Sequence, residues 1–138
     1  MFINTIKLDN YRIYYGKNEL QFNKSDRKNI FIIAGNNGYG KTTLLTSLVW
    51  CLYGKGMSDV DEVFKTQVLE AGGYNRFAAT NLNKLANSSS ESQYSVEINF
   101  SDISIPTLPC YSISIKRTYD VRASSETVRI LIDGNPNE

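Results

Sequence analysis

The distribution of apolar positions along the chain changes its period twice. Residues 2–8 read as a strand with Ile6 and Leu8 on one side, a polar turn occupies residues 9–16, and residues 19–22 return as a second strand. Asn29-Ile30-Phe31-Ile32-Ile33-Ala34 is a continuous apolar run, the pattern of a parallel strand buried on both faces. Leu44, Leu45, Leu48, Val49 and Leu52 then recur at helical spacing, and Gly54 marks the stop. Ser58 followed by Asp61 reads as a capping box opening a helix through Val60, Val63, Phe64, Val68 and Leu69, which ends at Gly72-Gly73. A weaker helix is expected over residues 74–85, with Phe77, Ala78, Leu82 and Leu85 inward, before a polar loop at residues 87–92.

The last third alternates instead. Tyr94, Val96, Ile98 and Phe100 give one half-buried strand, Tyr111, Ile113 and Ile115 a second, and residues 127–132 a third. Strands that follow one another without helices pair as an antiparallel meander. The expectation is a mixed α/β (α+β) domain, one lobe over residues 1–138: a parallel core strand leading into a helix, plus the meander.

Between the apolar run and the first helix stands Gly35-Asn36-Asn37-Gly38-Tyr39-Gly40-Lys41-Thr42, which fits G-x-x-x-x-G-K-[ST] with the strand and helix that motif needs on its flanks. Glycines at 35, 38 and 40 permit backbone angles closed to other residues and a close approach of main chain to an anion. The amides of Asn36, Asn37, Gly38, Tyr39, Gly40, Lys41, Thr42 and Thr43 would form a nest for phosphate oxygens, reinforced by the positive end of the helix dipole. Lys41 supplies a point charge for β- and γ-phosphates and is the candidate catalytic residue. The Thr42 hydroxyl suits Mg²⁺, and Thr43 adds a second hydroxyl in the first turn. ATP and Mg²⁺ are the ligands this pattern calls for.

Composition narrows the remaining choices. A length of 138 residues suffices for one core, and a net charge of +1 excludes only a strongly basic DNA-coating module. No apolar stretch is long enough to cross a membrane and the first ten residues lack a leader's apolar stretch, so the reading is cytoplasmic with no membrane partner. Two cysteines, Cys51 and Cys110, make no disulfide framework, and the lack of histidine excludes histidine-based triads. Asp59, Asp61 and Glu62 read as first-turn acids complementing a helix dipole. Arg12 has two readings: a guanidinium reaching a bound nucleotide from the sheet edge, or a solvated turn arginine, which pattern alone favours. Ile130-Leu131-Ile132-Asp133 also has two, a strand and acid that hold Mg²⁺ or a meander strand ending in an Asp133-Gly134 turn. The turn is favoured because Arg129 interrupts the apolar run and no second acid follows.

The order of features resembles the N-terminal lobe of ABC-type ATPase heads in SMC-like proteins, within the P-loop NTPases, and most of all SbcC-like nuclease-partner ATPases and DndD. The residues that carry it are Ile6-Lys7-Leu8-Asp9-Asn10-Tyr11-Arg12, the loop through Thr43 with its Asn37-Gly38, Leu52-Tyr53-Gly54, and the strands around Val96-Glu97-Ile98 and Ile113-Ser114-Ile115-Lys116-Arg117. The DndD likeness rests on Leu52-Tyr53-Gly54 and Asn81-Leu82-Asn83-Lys84.

The resemblance implies ATP–Mg²⁺ bound at the loop, with Arg12 approaching the nucleotide. It also implies a coiled coil and a C-terminal ATPase lobe supplying the signature motif and catalytic acid, two heads closing over two ATP molecules, and action on DNA with a nuclease or modification complex in repair, modification or phage defence. The chain would then be a fragment that binds ATP with little turnover, while the intact protein hydrolyses it. The alternatives are the N-terminal part of an ABC transporter ATPase, and a small kinase-like phosphotransferase that would need Asp133 at the metal.

Overall fold

The computed structural model describes residues 1–25, 27, 30–36, 40–107 and 110–137. Strands β1 (Phe2–Tyr11) and β2 (Tyr14–Gln21) form a hairpin; helix α1 (Lys41–Tyr53) follows, then a 3₁₀ turn (Gly54–Asp59) and helices α2 (Glu62–Glu70), α3 (Tyr74–Ala79) and α4 (Lys84–Ser88). Strands β3 (Gln93–Ser101), β4 (Ser112–Asp120), β5 (Ser125–Ile132) and the two-residue β6 (Asn135–Pro136) complete one sheet in the order β2-β1-β3-β4-β5-β6. Every pairing in it is antiparallel.

Alternation explains the sheet's two faces. Ile6 and Leu8 pair with Ile98 and Val96, all four buried on the helix side. The other face is polar: the register aligns Glu19, Lys7, Glu97, Lys116 and Arg129 as one rung across five strands, with Lys7 Nζ 3.7 Å from Glu97 Oε1. The chain's mixed α/β character and its meander are as the alternation predicts.

Helix α1 lies on the apolar face, but not by the stripe its leucines suggest. Leu44, Thr46, Ser47, Trp50 and Cys51 are buried, whereas Leu45 and Leu52 are exposed. The small Ser47 and Cys51 let the helix approach the sheet and make room for Trp50, whose ring lies 5.0 Å from Tyr94 and 6.0 Å from Tyr11. Thr46 Oγ1 donates to Thr42 O (2.9 Å) and Ser47 Oγ to Leu44 O (2.6 Å), so neither hydroxyl is buried without a partner. Cys51 Sγ points at Val96 O (3.3 Å), and burial pushes its thiol pKa to about 11.

Three expectations are corrected. The apolar run forms no strand over its described residues 30–34: Ile30 is 82% and Ile32 89% exposed, and Phe31 touches the rings of Phe2 and Phe22. A strand buried on both faces requires neighbours on both sides, and the antiparallel sheet provides none for this segment. Ser58 caps nothing, lying in the 3₁₀ turn; Asp61 is itself the N-cap of α2 and accepts from Val63 N at 2.8 Å. The helix expected over residues 74–85 is split at residues 80–83 into α3 and α4, with Asn83 capping the latter.

Candidate nucleotide site

The N-terminus of α1 is where the glycine-rich motif meets the sheet. Gly40 takes a left-handed conformation (φ 97°) before the first helical turn, and among the described residues no side chain caps that turn. A Cβ at Gly40 would sit 2.7 Å from Ile13 Cδ1 and 2.8 Å from Tyr14 Oη, so only glycine lets the loop close against the β1–β2 turn. Tyr14 Oη lies 3.4 Å from Gly40 O, the weak hydrogen bond that ties the two together. Leu44 N donates to Gly40 O at 2.9 Å, which starts the helix and leaves the amides of Lys41, Thr42 and Thr43 without an intrahelical acceptor.

Lys41 and Thr42 are exposed in that first turn and Thr43 is half-buried. The Lys41 stem runs beside Gly35, whose Cβ position is 4.0 Å from Lys41 Cγ and Cδ, so the structure brings the two shoulders of the loop together. Asn36 is exposed beside them, and Asn37, Gly38 and Tyr39 lie outside the described residues. These features fit a polyphosphate: uncapped amides, a helix dipole and a lysine share one mouth. One threonine hydroxyl fits Mg²⁺, which takes few protein ligands and completes its shell with water and phosphate oxygens. Among the described residues no group of three His, Cys, Asp or Glu side chains gathers anywhere.

Arg12 is not a free surface arginine. It is half-buried with φ 49°, its Nε donates to Asn81 Oδ1 (2.9 Å), and its guanidinium lies 5.7 Å from both the Tyr11 and the Phe77 ring centroids. Among the described residues its hydrogen bonds run to Asn81 and Asn83, while its neighbours Ile13 and Tyr14 are the ones that meet Gly40. Tyr11 is fully buried among Trp50 and Tyr94, and burial raises its pKa to about 12, against a smaller opposing pull from Arg12. Asp133 opens the β5–β6 turn at φ 48°, with Gly134 at φ 80°, and its Oδ1 accepts from Tyr111 N and Ser112 N, both at 2.8 Å. That carboxylate is engaged by backbone, as the turn reading requires.

Sequence reasoning missed the asparagines. Asn81 and Asn83 interrupt an apolar, helix-like pattern, and residues that compete for backbone hydrogen bonds inside such a pattern are a signal for a cap or clasp.

Comparison with known proteins adds the following. A family model described as an AAA domain matches residues 5–134. The DNA replication and repair protein RecF of Clostridium botulinum is 44% identical over 55 residues, 40% of this chain and 14% of that protein. The SbcC component of the nuclease SbcCD of Staphylococcus aureus is 33% identical over 57 residues, 41% of this chain and 6% of that protein. The chain thus matches only a small part of the length of these curated relatives. Among solved structures, a chain from work on ATP-driven dimerisation and DNA-stimulated activation of SMC ATPases superposes with a TM-score of 0.64 at 17% identity, covering 100% of this chain and 73% of its own.

Proposed function

The chain belongs to the AAA domain family, and on that premise we propose that it is the ATP-binding lobe of an SMC-like ATPase acting on DNA in repair. The observation that carries this reading is the mouth of α1: an uncapped first turn behind a left-handed Gly40, with Lys41 and Thr42 exposed and the Lys41 stem against Gly35. The amides of residues 40–43 hold phosphate oxygens, Lys41 neutralises charge at the β- and γ-phosphates, and the shoulder at Ile13 and Tyr14 fixes the loop's position. The Thr42 hydroxyl would hold Mg²⁺, which would supply further charge neutralisation at the site.

Efficient hydrolysis also needs an acid for the metal and a positioned water. The exposed Ile30, Ile32 and Ile33 support a second lobe that covers this segment and brings those groups. The likeness to SMC ATPases supports a two-headed assembly, and the match to the SbcC component of SbcCD favours a nuclease partner over the DndD-like alternatives of DNA modification and phage defence.

Equilibrium titration with labelled ATP–Mg²⁺ tests the reading. Lys41→Ala is expected to weaken binding at least tenfold, since a hydrogen bond to a charged group contributes about 1.5–3 kcal/mol; unchanged affinity would place the site elsewhere. Lys41-dependent turnover by this chain alone at ordinary enzyme rates, on the order of 1–1000 per second, would refute the need for a second lobe.

A further inference from the structure

Strand β5 is paired along its whole length on one side and barely on the other. Its register with β4 runs from Asp120↔Ser125 to Ile113↔Ile132 without a shift, whereas β6 lies beside Leu131 and Ile132 alone. Asn137 N donates to Ile130 O (3.0 Å), so Ile130 turns its backbone away from β4, and by the two-residue period so do Val128 and Glu126. Among the described residues, the backbone groups of Glu126 and Val128 have no partner on that side. Borders of this kind are blunted by proline, a bulge or a charge turned inward. Residues 125–130 contain no proline and no bulge, and the Glu126 carboxylate, on the helix side, is already held by Arg117 Nη1 at 3.3 Å and by Tyr74 Oη.

The two faces of that border differ in chemistry. On the helix side Val128 and Ile130 lie opposite Arg117 and Ile115 and remain 46% and 36% exposed. On the polar side β5 contributes the last member of the rung Glu19, Lys7, Glu97, Lys116, Arg129, in which the signs alternate until two exposed cations meet at the border. Like charges directly opposite one another repel, and among the described residues no ion pair includes either Lys116 or Arg129. A strand laid beside β5 places a residue next to Arg129 on this face, and an acid there restores the alternation. The β5 of a second copy cannot supply it, because its residues on that face are Ser125, Thr127 and Arg129. Strand β2 carries Glu19 but also Lys17 on the same face, so it brings no net negative charge.

We propose that the open border of β5 is a docking site for an extended segment of another protein in which acidic residues alternate with apolar ones. Added to the sheet as a further strand, such a segment exchanges backbone hydrogen bonds with Glu126 and Val128, sets its acids beside Arg129 and Lys116, and covers Val128 and Ile130 with its apolar residues. Backbone pairing supplies the affinity and the alternation supplies the choice of partner. The inference goes beyond the ATP-binding reading and does not depend on it, since the border lies at residues 125–130 and the glycine-rich motif at residues 35–42.

Fluorescence anisotropy on the full chain tests it with two labelled synthetic peptides of about nine residues, one alternating valine with glutamate and the other valine with lysine. The glutamate peptide is expected to bind at least about tenfold more tightly, the effect of a charge-assisted hydrogen bond, and Arg129→Glu to erase or reverse that preference. Equal affinity for the two peptides, or a preference that Arg129→Glu leaves unmoved, overturns the proposal. A second measurement leaves the protein unaltered. Of two glutamate peptides methylated on alternate backbone nitrogens, one set odd and one even, one should bind about tenfold more weakly because its lost donors face β5; if neither does, the backbone pairing is refuted. Amide exchange at Glu126 and Val128 should be fast without peptide and slow with it. Protection without peptide overturns the proposal, because the border is then filled by the chain itself or by a second copy. A duplex oligonucleotide whose binding depends on Arg129 while neither peptide binds overturns it in favour of nucleic acid.

Discussion

The two ends of helix α1 are held in opposite ways. At the C-terminal end Arg117 Nε donates to Cys51 O (3.0 Å), its Nη1 lies 3.3 Å from Glu126 Oε2, Tyr74 Oη donates to Glu126 Oε1, and Trp50 Nε1 donates to Tyr74 Oη (3.0 Å). Gly54 closes this end at φ 53°, where a Cβ would run into the Arg117 guanidinium. At the N-terminal end, among the described residues, there is no side-chain cap, Lys41 and Thr42 are exposed, and so are residues 30–36. One element therefore divides its labour. The C-terminal end is saturated with partners, and the end at the glycine-rich motif, among the described residues, has its first-turn amides without a side-chain acceptor.

That contrast breaks if substitutions at the two ends have similar consequences. The largest effect expected is from Trp50→Ala, about 3–5 kcal/mol of lost stability in denaturant unfolding, since a fully buried indole leaves a cavity under the sheet. Alkaline pH comes next. The thiol of Cys51 keeps its proton up to about pH 11 when folded, from an ordinary 9.0, and the Tyr11 hydroxyl up to about 12, from 10.0. A folded-state pKa above the unfolded value means the stabilisation is complete below the unfolded pKa and is lost as pH rises through the folded one. Stability should thus fall between pH 9 and 12, with Cys51 accounting for about 2–3 kcal/mol between 9 and 11. Cys51→Ala should flatten the first part of that decline; an unaltered slope would show the thiol plays no part.

Arg117→Met is expected to cost about 2 kcal/mol, because it leaves Glu126 and the Cys51 carbonyl short of a donor in a half-buried setting. Adding Glu126→Gln should recover part of the loss, and a fully additive second loss would deny that the two act as a pair. The smallest effect on stability belongs to the other end. Lys41→Ala should change unfolding free energy by less than about 0.5 kcal/mol while removing nucleotide affinity, and a destabilisation comparable to that of Arg117→Met would erase the division.

How much of this was readable beforehand follows the range of the interactions. The meander strands were legible because alternation such as Tyr94, Val96, Ile98 is a local signal with one outcome when one face is buried. The glycine-rich motif is likewise a local signal, and among its described residues Gly35 lies beside the Lys41 stem while Gly40 packs against Ile13 and Tyr14. The buried face of α1 was misread because Ser47 and Cys51 count as weak or small residues in a pattern, while packing selects them for close approach to the sheet. Residues 30–34 carry the composition of a central strand, but composition cannot supply the neighbouring strands that would make them one. The asparagine clasp on Arg12 joins residues far apart in sequence, and no local period encodes such a meeting.

The rims of the sheet carry a consequence for how these molecules behave in company. One outer strand, β2, displays Lys17 and Glu19, and the opposite rim is the short β6, where Pro136 has no amide proton to give. A second molecule trying to add itself sideways meets charge at one border and a missing donor at the other. The two-residue β6 covers only Leu131 and Ile132, so along residues 125–130 strand β5 has no further strand beside it among the described residues, and that stretch is the border left open to pairing.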